Sequence, residues 1–151
     1  MLKLYLDNCC FNRPYDDQTI LLNVLESDAK LFVQKEILNG TYELVWSYML
    51  DYENYYNPYD NRKIAIADWK RIAKTYVEPT EEILKRAIEI MKIGIKQKDA
   101  LHLSCAIEAK SYYFITTDKR LLNKHLAEIK IINPIDFIKL LDYENRHYIE
   151  N

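Results

Sequence analysis

Four acidic residues stand where a carboxylate needs a reason to be. Asp7 and Asp118 come just behind two short apolar stretches, LKLYL (residues 2–6) and YYFIT (112–116), that read as strands. In open parallel α/β sheets ligands collect beyond the carboxyl ends of the strands, so both fall at the edge where chemistry is usually done. Taken singly, an Asp behind a strand is a cap or turn residue. Glu53 and Asp99 lie on helical stretches, where successive residues turn by about 100°. By that rule Trp46, Met49, Leu50 and Tyr56 project within about 60° of Glu53, and Asp51 projects away. His102, Leu103 and Ala106 lie within about 60° of Asp99, with Glu108 opposite. An acidic group on the apolar side of a helix costs free energy unless it is paired, protonated or bound to a cation. For Asp99 alone, the dipole at a helix start is a sufficient explanation.

Together the four say more. Converging carboxylates raise one another's pKa unless a cation neutralises them. Oxygen-only donors select hard ions, here Mg²⁺ or Mn²⁺. Such an ion activates water and polarises a phosphoryl group, and the reaction class is phosphodiester hydrolysis. Arg13, Lys119, Arg120 and Lys124 lie close in sequence to Asp7 or Asp118, and Lys96 and Lys98 just before Asp99. They are candidates for phosphate contacts, although a lone surface cation is more often simply solvated.

Other chemistries lack their residues. With only two glycines, Gly40 and Gly94, no phosphate-cradling loop or dinucleotide turn can be written. No GxSxG or HExxH motif occurs. Cys9, Cys10 and Cys105 match neither a zinc spacing nor a disulfide framework, which suits a reduced, cytoplasmic setting. A Cys–His hydrolase using His102 or His125 has no supporting spacing, and His102 reads as a packed, hydrogen-bonded helix residue. A phosphatase of the haloacid-dehalogenase type needs a second Asp at position 9, which is Cys.

The elements that must position the carboxylates can be read from periodicity. Strands are expected over 2–6, 43–46, 112–116 and 128–132. Helical patterns cover 17–39 (kinked or double, with Ser27 a cap), 47–57, 60–75 (Ile64, Ala67 and Ile72 inward), 80–94, 98–110 and 119–126. Pro134 opens a last helix to about Tyr143. This alternation implies an α/β domain with a central, mainly parallel twisted sheet flanked by helices. The 151 residues suit one domain, 1–143, with a polar, frayed tail over 144–151. No apolar run approaches the ~18 residues of a membrane span, and the start of the chain is too charged for a signal peptide. A net charge of −2 argues against a generally basic nucleic-acid binder but leaves room for local basic patches. Thirteen tyrosines are present; Tyr48, Tyr52, Tyr55 and Tyr59 form a stripe expected to pack on neighbouring helices, or else to cover a dimer or partner surface.

Over residues 2–142 the sequence resembles the PIN-domain nucleases, including the toxin subunits of the VapBC toxin–antitoxin type. The marks are YLDNC, WSYMLDYE, KDALHLSCA and FITTDKRL. The last two are the most specific. The resemblance implies an acidic tetrad of Asp7, Glu53, Asp99 and Asp118 holding Mg²⁺ or Mn²⁺, with Thr116 supporting the site. Asn8 can support it by hydrogen-bonding substrate or a carboxylate, and Arg13, Lys119 and Arg120 are available to substrate by their closeness in sequence. It implies an endoribonuclease, a homodimer and an inhibitory antitoxin. The pattern departs where Asn8 and Cys9 replace the family's hydroxyl residue and the Asn or Ser after it. The competing expectation is a non-catalytic module whose acidic pocket receives a partner's Arg or Lys.

Overall fold

The computed structural model describes residues 1–150, with side chains through His147. Its centre is strand β1 (Lys3–Leu6), parallel to β2 (Glu43–Ser47) on one side and β4 (Tyr113–Ile115) on the other. β3 (Thr75–Val77) extends the sheet beyond β2, and β5 (Lys130–Ile132) beyond β4. The order β3-β2-β1-β4-β5 is parallel throughout. Parallel strands need crossovers that cover both sheet faces, which is why LYL, LVW and YFI are continuous apolar runs and fully buried.

The chain builds outward from β1 to β3, then returns to place β4 on the other side of β1. The order therefore reverses between β1 and β4, and such a reversal opens a crevice at the strands' carboxyl ends. Asp7 sits at that end of β1, its backbone N–H donating to Ile115 O at 2.9 Å.

Helices α1 (Asn8–Asn12), α2 (Leu21–Leu38), α3 (Tyr48–Tyr55), α4 (Asp60–Lys70), α5 (Glu81–Met91), α6 (Gln97–Glu108), α7 (Lys119–Leu122) and α8 (Pro134–Glu150) cover the sheet. The core is built on Tyr5, Trp46, Phe11, Phe114 and Phe137, with Tyr5 stacked on Phe114 at 5.2 Å between centroids. Ser47 caps α3 and Thr80 caps α5, each accepting from a backbone N–H of the first turn. Gly94, at φ +93°, closes the turn after α5 in a conformation other residues resist.

Several expectations are corrected. α2 is one uninterrupted helix, and Ser27 lies inside it with Oγ donating back to Asn23 O at 2.7 Å, a bond that removes any need for a break. The helical reading of 60–75 runs too far: α4 stops at Lys70, and 75–77 pair with β2 as an edge strand. α4 is also rotated from expectation, burying Ile66 and partly Trp69 while Ile64 and Ala67 are exposed. α7 ends at Leu122, not 126. α8 continues past Tyr143 to Glu150, so the stretch read as a frayed tail is helical; residue 151 lies outside the described residues. Among the described residues no helix is long and apolar enough to cross a membrane.

Candidate active site

The crevice is lined first by Asp7, which is buried and caps the short helix α1. Its Oδ1 accepts from the Asn8 backbone N–H at 2.8 Å. Its Oδ2 accepts from the Thr116 hydroxyl at 2.9 Å and, more weakly, from the Cys9 thiol at 3.5 Å. Thr116 Oγ1 in turn accepts from the Asp118 backbone N–H at 3.1 Å. One hydroxyl thus ties the ends of β1 and β4 together and sets the spacing of two carboxylates. Asp118 caps α7 by accepting from the Arg120 N–H at 2.9 Å. Both strand-end aspartates therefore do cap helices, and one oxygen of each is engaged in capping.

Cys9 fills the place after Asn8 with a half-buried thiol, 3.3 Å from Thr116 Oγ1 and accepting from Thr117 N at 3.4 Å. It packs against the Asp7–Thr116 pair. Cys10 and Cys105 are buried core residues, as expected of small apolar groups.

Glu53 reaches the crevice from α3 and Asp99 from the first turn of α6. Glu53 Oε1 lies 2.5 Å from His102 Nε2, whose N–H donates to it. On its other side, His102 Nδ1 lies 2.6 Å from the Tyr5 hydroxyl, which lies 2.6 Å from Ser47 Oγ. Tyr5, Ser47 and His102 are completely buried. The chain Ser47–Tyr5–His102–Glu53 therefore carries a fixed hydrogen-bond pattern from the core to a half-exposed carboxylate. His102 is packed and hydrogen-bonded, as its place on the helix implies. Tyr5 and Ser47 were not singled out in the sequence. The available signal was period two: Tyr5 shares a strand face with Asp7.

The electrostatics place the four carboxylates in one neighbourhood. Burial, and then the charges of Asp7, Asp118 and Glu53, push the Asp99 carboxyl up to about 6 despite nearby His102. Burial also raises Asp7, against the opposing pull of His102 and the Thr116 hydroxyl. Burial would raise Glu53 too, but the His102 bond and charge, with a bond from the Asn8 side chain, hold it below its ordinary value. His102 is raised: burial works against it, and the Glu53 hydrogen bond and the charges of Asp7, Glu53 and Asp99 prevail. Among the described residues no three His, Cys, Asp or Glu side chains already form a closed metal-binding group. The donor set nonetheless fits a hard divalent cation, being all carboxylate oxygen, with burial and then the neighbouring carboxylates raising Asp99 to about 6.

Two cavities adjoin the carboxylates. One, of about 220 Å³, is lined by Asp99 and Asp118 with Lys96, Arg120 and Lys124. The other, of about 300 Å³, is lined by Tyr52, Glu53, Tyr56 and Lys98. Lys119 lies beside Arg120 in the first turn of α7. Arg13 sits apart from this cationic group, its guanidinium held by Asp16 at 3.0 Å, Asn23 at 3.1 Å and the buried Glu26 at 3.4 Å. The tyrosine stripe does not pack into the fold as expected: Tyr48 is half-buried, but Tyr52, Tyr55 and Tyr59 are exposed, and Lys63 of α4 reaches over the Tyr55 ring without burying it.

A model of the PIN domain family matches residues 5–126. No curated protein matches significantly in sequence. Among solved structures, the chain is similar to VapBC2 from Rickettsia felis bound to a DNA fragment from its promoter. The TM-score is 0.59 and the identity 13%, over 87% of this chain and 98% of that one. It is also similar to DNA-bound VapBC from Salmonella typhimurium, with TM-score 0.55 and 14% identity over 89% of this chain and 99% of the other. At these identities the likeness is one of fold.

Proposed function

The chain belongs to the PIN domain family, and from that premise we propose that it is a metal-dependent endoribonuclease acting through Asp7, Glu53, Asp99 and Asp118. The observation that carries this reading is Asp99: a half-buried carboxylate at the reversal of the sheet order, pushed up to about 6 by burial first and then by the charges of Asp7, Asp118 and Glu53. Carboxylates in a crevice whose pKa is raised by burial together with specific charged neighbours mark a candidate functional site.

Asp7, Asp99 and Asp118 would hold Mg²⁺ or Mn²⁺ directly, and Glu53 would complete the set, through water or directly. When bound, the ion supplies charge neutralisation and Lewis-acid activation at the phosphoryl group. The chain's own residues do the rest. Thr116 fixes the Asp7 carboxylate and the Asp118 backbone relative to each other. His102 holds Oε1 of Glu53 as an acceptor, and the Asn8 side chain also bonds that carboxylate. Lys96, Lys119, Arg120 and Lys124 bind the phosphates flanking the scissile bond and align it for in-line attack. Hydrolysis leaves the new phosphate on the 3′ fragment.

The similarity to VapBC structures supports placing this chain as the toxin half of a toxin–antitoxin pair with a protein antitoxin as its partner; the homodimer belongs to this reading on the family resemblance alone. The competing reading is a non-catalytic module whose acidic crevice takes a partner's Arg or Lys. The two separate in one assay: cleavage of a mixed-sequence labelled RNA by the full chain, with Mn²⁺, with Mg²⁺ and with EDTA, beside Asp99→Asn. The nuclease cuts only with metal and not in the variant. Metal-independent cutting, or equal cutting by the variant, contradicts this assignment.

A further inference from the structure

The Tyr52–Tyr56–Lys98 cavity sits against Glu53, whose carboxylate feels the charge of Lys98. Its tyrosines are exposed, at 47% and 65%. Their rings meet edge to face, with centroids 5.2 Å apart and planes at 67°. Tyr56 also meets Tyr55 edge to face, with centroids 5.1 Å apart; each edge contact covers one face of one ring only, so exposed Tyr52 and Tyr56 still offer flat apolar surface. Lys98 stands over the Tyr52 ring, its Nζ 5.8 Å from the centroid. Nothing in the fold requires this: α3 buries its other face through Met49, Leu50 and Asn54. The other cavity, lined by Asp99 and Asp118, is the cationic one of Lys96, Arg120 and Lys124. The crevice is therefore asymmetric, with aromatic faces and one lysine next to Glu53 and a cluster of cations next to Asp99 and Asp118.

The geometry points to Tyr52, Tyr56 and Lys98 forming a stacking subsite for one unpaired nucleobase beside the scissile phosphate. The inference rests on the ribonuclease reading. Aromatic side chains with adjacent cations are how proteins hold single strands, because every base has a π-face and each nucleotide a phosphate. A base inside a duplex is already stacked on both sides and cannot enter such a cavity. A cavity of about 300 Å³ next to Glu53 has room for one base. The cations near Asp99 would then take the phosphates leading in the other direction, which gives the bound strand a fixed polarity. Hydrophobic contact with any base makes the subsite tolerant of sequence and selective for the unpaired state.

The test uses the full chain and a single-stranded RNA decamer carrying one 2-aminopurine, with Ca²⁺ satisfying the carboxylates while cleavage is slowed. Stacking is read as quenching of the 2-aminopurine, and affinity from its titration. The wild-type protein quenches the probe and prefers the single strand to the same sequence in a duplex. The Tyr52→Ala/Tyr56→Ala variant loses the quenching and binds about tenfold or more weakly, while Tyr52→Phe/Tyr56→Phe keeps both, since stacking needs the ring and not the hydroxyl. Undiminished quenching in the alanine variant overturns the subsite and leaves the ribonuclease reading standing. Equal affinity for the duplex also overturns it. So does an alanine variant whose mass falls from dimer to monomer with RNA binding intact, which would make these tyrosines a contact between copies of the chain. Absence of RNA binding by the wild-type protein overturns the inference together with the reading beneath it.

Discussion

His102 Nε2 lies 2.5 Å from Glu53 Oε1, although 49 residues separate them in sequence. The contact joins a fully buried imidazole to a half-exposed carboxylate, and Tyr5 fixes the imidazole from behind. Groups that orient a metal ligand in this way commonly change metal affinity by about ten- to a hundredfold when removed. His102→Leu is expected to weaken Mn²⁺ binding by that order while leaving a folded protein. Tyr5→Phe removes a buried hydroxyl from the chain and should cost about 1–2 kcal/mol of stability with a smaller effect on Mn²⁺. Isothermal titration and urea melts measure the two separately. Unchanged Mn²⁺ affinity in His102→Leu would show the contact to be structural only.

The metal-free protein should lose stability as pH rises. Asp99, at about 6 when folded and near 4 when unfolded, binds its proton more tightly in the native state. Its contribution is therefore present below the ordinary carboxylate range and declines as pH climbs to about 6. Asp7 is raised and acts in the same direction. His102, also raised, contributes below its ordinary value and loses that contribution as pH rises through its folded one. Glu53 is lowered, so its contribution has the opposite sign and fades only in acid. For Asp99, discounted for its partial exposure, the loss is about 1 kcal/mol. Thermal melts at about pH 5 and pH 7.5 in EDTA should show it, and Mn²⁺ should shrink or reverse the difference.

Asp99→Asn is expected to abolish cleavage and, without metal, to raise stability by about 1 kcal/mol at neutral pH, because it removes one charge from a repelling set. Asp7→Asn should gain less. Asp7 uses both oxygens as acceptors, from Asn8 N–H and from the Thr116 hydroxyl, and an amide can replace only one. Urea melts of both variants check the order. A large loss of stability in both would assign these carboxylates to the fold instead of the chemistry.

Lys30 offers a test away from the crevice. It is buried, donates to Gln34 Oε1 at 2.8 Å and has no carboxylate partner among the described residues, and burial lowers its pKa to about 8. A lysine lowered in the fold is carried more easily as the neutral amine, so stability should rise as pH climbs from about 8 towards 10. Lys30→Met should be neutral or stabilising by about 1 kcal/mol at pH 7 and should lose that pH dependence. Denaturation at pH 7 and pH 9.5 compares them.

What could be read in the sequence, and what could not, follows from the range of the interactions. Strands β1, β2, β4 and β5 are apolar runs beside polar turns, and α6 carries its own periodicity, so local pattern suffices. The placement of Asp7 and Asp118 at a sheet edge follows from strand ends alone. β3 is three residues long with one buried side chain, too little to separate from the end of the helix before it. The rotation of α4 was hidden because Ile64, Ile66 and Ile72 are equally apolar, and only packing selects Ile66. The tyrosine stripe misled for a related reason: spacing shows that tyrosines share a face, not whether anything covers it. The Ser47–Tyr5–His102–Glu53 chain joins residues up to 97 positions apart, and no local pattern announces it.

The central claim is that the four carboxylates hold a divalent cation, and Mn²⁺ titration followed by electron paramagnetic resonance tests it most directly, since free and bound Mn²⁺ give different signals whether or not any RNA is cut. Saturable binding by the wild-type protein, weakened at least about tenfold in Asp99→Asn, is the result this account predicts. No saturable binding, or equal binding by the variant, would contradict it.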